Sequence, residues 1–126
     1  MDTQEWNGAA PEVEVEIHEQ ARTAIVTLRG EHDISTQSRV RDALTLASEQ
    51  PKVLVDLSEC TFADTGLINS LIVANAMVTQ RSGQLEVVIP PDPSAAHRLA
   101  KLTRLEQIVP IRSTRNGIPR EGEGTT

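Results

Sequence analysis

A threonine between an aspartate and a glycine is the residue of this chain whose position best suits regulated chemistry. Asp64, Thr65 and Gly66 stand between a short apolar run and a longer apolar stretch with helical spacing. A hydroxyl at a helix start caps backbone N–H groups, and the same place tolerates added negative charge. The sequence therefore leaves two interpretations of Thr65, a helix cap and a regulated hydroxyl, and Asp64 competes with it for the cap.

Three histidines and one cysteine are further candidates for catalysis or metal binding. His18, His32 and His97 lie on three separate segments, and none stands at a metal-ligand spacing from Cys60. We expect the histidines to face solvent. The cysteine is interpreted as a small buried hydrophobe, with a reactive thiol as the alternative because it lies near the turn. No catalytic residue and no metal ligand is predicted.

Three aspartates could meet at strand ends as an acidic metal pocket. They are Asp33, Asp56 and Asp64, but their spacing does not require a cluster, and carboxylates in loops are usually solvated. The chain also lacks the GxSxG, GxxxxGK[ST] and GxGxxG patterns of nucleophile elbows and phosphate-binding loops. We therefore expect no cofactor and no enzymatic activity.

The composition is typical of one globular domain that builds its own core. The chain has 126 residues, a net charge of −6, 38% hydrophobic and 24% charged residues. The acidic balance disfavours nucleic acids and anionic membranes, and the two aromatic residues, Trp6 and Phe62, are too few for base stacking. A single cysteine fits a reducing compartment, and no segment has the pattern of a signal peptide or a membrane span. The sequence thus predicts a cytoplasmic protein.

Hydrophobic periodicity predicts the elements before the Thr65 turn. Residues 13–17 alternate with glutamates and predict a strand with one wet face, followed by a second strand over 24–28 that pairs with it as a hairpin. Gly30 is expected to end this second strand, and residues 31–33 to form a loop. Ser35 or Thr36 then caps a helix that closes before Pro51.

The elements around and after the turn are predicted in the same way. The nearly continuous apolar run 53–57 is typical of a strand covered on both faces. Residues 67–78 repeat at spacings of three and four, which predicts a helix that Gly83 ends. Another strand follows over 85–89, and Ser94 begins a short helix. Residues 105–111 are expected to form a last short edge strand.

This order of elements predicts a single α/β domain with a mixed sheet of four to five strands. Strands separated by helices imply right-handed crossovers and parallel pairing, whereas the opening hairpin is antiparallel. The folded domain is expected over residues 12–112, after a flexible arm over 1–11 and before a disordered tail over 113–126.

Three segments resemble, in their order and spacing, the STAS domain of bacterial anti-sigma factor antagonists. They are LRGEHDIS from Leu28, VLVDLS from Val53 and TFADTGL from Thr61, and the resemblance covers residues 13–112. It implies partner switching, in which the unmodified antagonist binds an anti-sigma factor that is also a serine/threonine kinase. Phosphorylation of the hydroxyl residue before the motif glycine dissolves that complex, and a phosphatase resets it. The resemblance assigns this acceptor role to Thr65.

The motif departs from the family pattern in its length. The family usually has Phe-x-Asp-Ser-Ser/Thr-Gly-Leu, whereas the segment from Phe62 to Leu67 is one residue shorter, so that Asp64 directly precedes Thr65. Two alternatives to the switched antagonist therefore remain open. One is a constitutive antagonist that is not phosphorylated, and the other is a STAS-type module that senses a ligand or serves a transporter.

The predicted partner surface combines the turn, a neighbouring loop and the start of the helix after the turn. By the resemblance, the loop over residues 30–35 lies beside Thr65. The helix carries a wide apolar set that either faces a partner in part or is covered by the sheet and a neighbouring helix. The members of that set are Ile68, Ile72, Val73 and Met77. The predicted contact residues are Asp33, Ser35, Asp64, Thr65, Gly66, Ile68, Asn69 and Ile72.

Overall fold

Six strands form one mixed sheet, and three α-helices pack on one of its faces, in a computed structural model that describes residues 10–91 and 93–115. The strands are β1 (Glu12–His18), β2 (Thr23–His32), β3 (Lys52–Asp56), β4 (Cys60–Ala63), β5 (Gln84–Val88) and β6 (Ile111–Arg112). The helices are α1 (Gln37–Ala47), α2 (Thr65–Gln80) and α3 (Ala95–Thr103). The predicted α/β class and mixed sheet are confirmed, with one strand more than the four to five expected.

The sheet follows the order β1-β2-β3-β5-β6, and β4 pairs with β2 beside this path. The opening hairpin of β1 and β2 is antiparallel, and its register runs from Glu12 opposite Arg29 to His18 opposite Thr23. All other strand pairs are parallel. Parallel neighbours require crossover connections, and the three helices supply them.

The second strand is longer than predicted because Gly30 does not end it. Gly30 adopts a φ of 81°, the pairing register with β4 shifts between Gly30 and Glu31, and the strand continues to His32. The expected loop over residues 31–33 is therefore wrong for Glu31 and His32. The added length pairs with β4, a short strand that the sequence did not reveal because two of its four residues, Thr61 and Phe62, are exposed.

The main core lies between the sheet and the helices. Ala24, Val26 and Leu28 of β2 pack with apolar residues of all three helices. Ile25, Leu54 and Val88 alternate with these residues and form a smaller buried cluster of their own. Burial on both faces explains why the run over β3 lacks the alternation of a half-wet strand.

The helix boundaries correct several details of the prediction. Thr36 precedes α1 without a side-chain capping bond, and Asp33 instead caps a 3₁₀ turn over Ile34–Thr36. Ser94 caps α3 as predicted, because its hydroxyl accepts the His97 N–H at 2.9 Å. Of the predicted last strand, residues 105–107 form a 3₁₀ turn and only β6 pairs with the sheet edge.

The two predicted termini fall mostly outside the described residues. This holds for residues 1–9 of the expected arm and for residues 116–126 of the expected tail. Within the predicted tail, however, Arg115 forms an ion pair of 3.3 Å with the buried carboxylate of Asp56. This ion pair connects the side chain of Arg115 to the end of β3.

Candidate functional site

Thr65 is the first residue of α2 and is exposed to solvent. The cap belongs to its neighbour, because the Asp64 carboxylate accepts the Gly66 N–H at 3.0 Å. The carbonyl of Asp64 also accepts the Leu67 N–H at 3.1 Å. Asp64 thus takes the role that the sequence left open between two residues, and the Thr65 hydroxyl is not needed to start the helix.

A second turn with the same construction lies at the end of β2. The Asp33 carboxylate accepts the Ser35 N–H at 2.9 Å and the Ser35 hydroxyl at 2.6 Å. These two bonds, led by the one from the Ser35 hydroxyl, lower the pKa of Asp33 because they stabilise its charged form. Asp33 and Ser35 are both exposed, so this turn presents polar groups to the surroundings.

Parallel pairing of β2 with β4 brings the two turns together. His32 pairs with Ala63, so that Asp33 and Asp64 are the next residues of two neighbouring strands that run in the same direction. Both aspartates line one small cleft together with Gln37 from the start of α1. The loop containing Asp33 and Ser35 therefore lies beside the Thr65 turn.

Buried hydrogen bonds hold the Asp33–Ser35 turn in place. Nε2 of His32 lies 2.9 Å from the Arg29 carbonyl and 3.2 Å from the Glu12 carbonyl, which accept only, so this nitrogen carries hydrogen. Nδ1 lies 3.0 Å from the hydroxyl of Thr36. The expectation of a solvent-facing histidine is wrong here, since His32 is 2% exposed and links the hairpin to the turn.

The side chain of Gln37, from the start of α1, lies close to Gly66 in the first turn of α2. A methyl group on Gly66 would lie 3.2 Å from Nε2 of Gln37 and 3.1 Å from the Asp64 carboxylate. The side-chain amide of Gln37 therefore rests against the first turn of α2. The sequence did not indicate Gln37, because a glutamine at a helix start carries no signal of its own.

The predicted apolar set of α2 divides between core and surface. Ile68 is only 6% exposed, so its assignment to the contact surface is wrong, because its side chain is packed in the main core. Ile72 is partly buried against that core, and Asn69 is exposed one helical turn after Thr65. Val73 is 59% exposed. Both interpretations of the set thus hold for part of it.

Cys60 and Asp56, the other candidates for chemistry, are bonded within the fold. Cys60 is buried, which raises the pKa of its thiol, and its Sγ donates to the Phe62 carbonyl. The carboxylate of Asp56 accepts the Ser58 N–H and forms an ion pair with Arg115. Only Asp33 and Asp64 of the three predicted aspartates line a common cleft. Within residues 10–91 and 93–115, no group of three or more histidine, cysteine or acidic residues is placed to hold a metal ion. No helix of the described part is long and apolar enough to span a membrane.

Fold and site together define an α/β domain with an exposed hydroxyl at a helix start beside a polar turn. A family model described as "Mlab, STAS domain" matches residues 15–110. The chain therefore belongs to the STAS domain family, and the resemblance inferred from its sequence is confirmed. A search of curated proteins finds no match.

Several solved structures share this fold at low sequence identity. An anti-sigma factor antagonist from Mycobacterium paratuberculosis is 24% identical, with a TM-score of 0.70 over 83% of this chain and 87% of its own. The Bacillus cell fate determinant SpoIIAA in its phosphorylated form is 14% identical, with a TM-score of 0.62 over 85% and 96%. A STAS domain protein from Planctomyces limnophilus described as an anti-sigma-factor antagonist is 17% identical, with a TM-score of 0.66 over 85% and 93%. At these identities the similarity shows the fold.

Proposed function

We propose that this protein is a cytoplasmic anti-sigma factor antagonist that binds a kinase-type anti-sigma factor and is switched off by phosphorylation of Thr65. The observation that carries the proposal is the exposed Thr65 hydroxyl at the start of α2, beside the Asp33–Ser35 turn. The fold shared with an antagonist structure and with phosphorylated SpoIIAA supports the same role. Binding would free the sigma factor, and a phosphatase would restore the unmodified protein.

The surroundings of Thr65 explain how one phosphate would act. A phosphate adds about −1.5 to −2 charges at pH 7. The N-terminus of α2 favours negative charge, so the fold should tolerate the group. However, the Asp64 carboxylate already accepts the Gly66 N–H there, and it repels a second anion. The added charge is therefore directed to the surface, where a partner that fits the uncharged turn loses affinity through repulsion and desolvation.

The first experiment is intact-mass analysis after incubation with ATP, Mg²⁺ and each kinase-type anti-sigma factor of the host. We expect one added phosphate on the wild type and none on Thr65→Ala with the cognate kinase. A stable complex without phosphate would instead identify a constitutive antagonist. Neither phosphate nor complex with any candidate would reject the proposal and favour the ligand-sensing or transporter-associated module.

A charge substitution tests the switch without relying on the kinase reaction. Thr65→Asp should weaken binding to the anti-sigma factor at least tenfold, about 1.4 kcal/mol, whereas the uncharged control Thr65→Asn should stay near wild type. Circular dichroism should show both variants folded, because the site is exposed. Equal affinities of the two variants would contradict a switch that acts through charge at Thr65.

A further inference from the structure

An apolar groove runs between α1 and α2, next to the Thr65 turn. Leu44 and Ala74 lie at its buried base, and Val73 stands exposed at its side. Gln37 and Asn69 line the end nearest the turn, and Gln37 also borders the small cleft that contains Asp33 and Asp64. Thr65, Asn69 and Val73 follow one another at intervals of four, so they share a face of α2. The groove is thus a continuation of the proposed contact surface.

The charge and size of this groove indicate what fits it. Arg41 is the one charged residue among the side chains that line it, and no ion pair or hydrogen bond engages Arg41 within the described residues. An unpaired cation beside an apolar surface, on a chain of net charge −6, is complementary to an apolar segment that carries a carboxylate. The groove has a volume of about 230 Å³. This is below the roughly 300–1,000 Å³ of small-molecule pockets, so it suits side chains of a docked segment better than a whole ligand.

We propose that the groove between α1 and α2 receives an amphipathic helix of the anti-sigma partner, with apolar side chains against Val73 and Leu44 and an acidic side chain on Arg41. Amphipathic helices commonly dock in this way, with apolar residues at helical spacing in a hydrophobic groove. The inference rests on the proposed function and extends its contact surface beyond the Thr65 turn. In this inference the groove contributes affinity for the anti-sigma partner, and phosphorylation of the Thr65 hydroxyl switches that binding off.

The test compares two arginines of the same helix. Arg39 and Arg41 are both exposed on α1, but only Arg41 lines the groove. In titrations with the unmodified kinase partner, Arg41→Glu should weaken binding at least tenfold, whereas Arg39→Glu should change it less than twofold. Circular dichroism and intact-mass analysis should show that both variants fold and that both still accept phosphate at high kinase concentration.

An apolar pair supplies a second, uncharged comparison. Val73 and Leu46 are 59% and 52% exposed, and only Val73 lines the groove. Val73→Ser should weaken the complex at least threefold, whereas Leu46→Ser should bind like the wild type.

The outcomes separate this inference from the proposed function. The groove assignment is rejected, and the proposed function stands, if the wild type binds a kinase but the groove variants bind it as well as their controls. The two comparisons are Arg41→Glu with Arg39→Glu, and Val73→Ser with Leu46→Ser. If the wild type binds no anti-sigma kinase, both are rejected. A third outcome would assign the groove to a small carboxylic acid instead. In that case decanoate raises the melting temperature of the wild type but not of Arg41→Glu, and the kinase affinity of Arg41→Glu is unchanged.

Discussion

Asp33 and Asp64 hold matching positions after two neighbouring parallel strands, and each carboxylate accepts the N–H of the residue two places on. Short polar side chains favour such local bonds, which start a turn or helix directly after a strand. At this site the two aspartates therefore supply the acceptors for the N–H groups of Ser35 and Gly66. The hydroxyl of Thr65 is left at the surface.

The pKa of Asp33 offers a test of the Asp33–Ser35 turn. It is lowered chiefly by the Ser35 hydroxyl, so Ser35→Ala should raise it toward the ordinary range, whereas Ser38→Ala on the exposed side of α1 should not. A lowered folded-state pKa contributes stability above the unfolded-state pKa, and this is lost as the pH falls through the folded-state value. Carboxyl NMR titration measures the change. An Asp33 pKa that does not respond to Ser35→Ala would contradict the hydrogen bond.

At the scale of elements, α2 connects the site to the core. Its buried side chains pack in the main core, and its first turn carries the exposed threonine and is capped by Asp64. Packing provides most of the stability of a helix in a protein, but the cap determines where the helix begins. The start of α2 is therefore set locally, one residue before the proposed acceptor.

Removing the cap should cost a measurable part of the stability. Asp64→Ala should lower the free energy of unfolding by about 1 kcal/mol, because the Gly66 N–H loses its acceptor. Asp64→Asn keeps a capping oxygen and should remain within a few tenths of a kcal/mol of the wild type. Urea denaturation followed by circular dichroism gives both values. If the two variants were equally destabilised, the negative charge and not the cap would be the important feature of Asp64.

At the scale of the whole molecule, ion pairs connect distant parts of the chain across the sheet. Arg29 of β2 contacts Glu14 of β1 at 2.8 Å and Glu59 after β3 at 3.1 Å. Arg115, near the end of the described chain, reaches the buried Asp56. The Asp56 carboxylate requires compensation because a buried charge without a partner is costly.

Arg115 should therefore contribute to global stability although it lies beyond the last strand. Arg115→Ala should lower the free energy of unfolding by about 1–3 kcal/mol, the cost of leaving a buried polar group without a partner. The partial exposure of Arg115 weakens the pair and favours the lower end of this range. Arg98→Ala on the exposed side of α3 is the matched control and should be near neutral. Thermal and urea denaturation provide the comparison. A neutral Arg115→Ala would mean that the bonds from Ser58 suffice for Asp56.

The parts that could be predicted from sequence are those governed by local patterns. The hairpin, the crossover helices, the Ser94 cap and the position of Thr65 at the start of α2 all follow from periodicity and capping preferences. The continuation of β2 through Gly30 and its pairing with β4 could not be predicted. A short strand with two exposed residues has no periodic signal, and only its parallel neighbour makes it a strand.

Sequence by itself determined the class of fold, the family resemblance and the candidate hydroxyl, because these depend on residue types at short spacing. Only the tertiary structure decided which residues are buried and which lie together. Ile68 is buried in the core, Val73 is exposed, and Arg41 lines a groove. The reason is that an apolar helix residue is buried or exposed according to what packs against it. That neighbour is set by sheet order and helix packing over long separations in the chain.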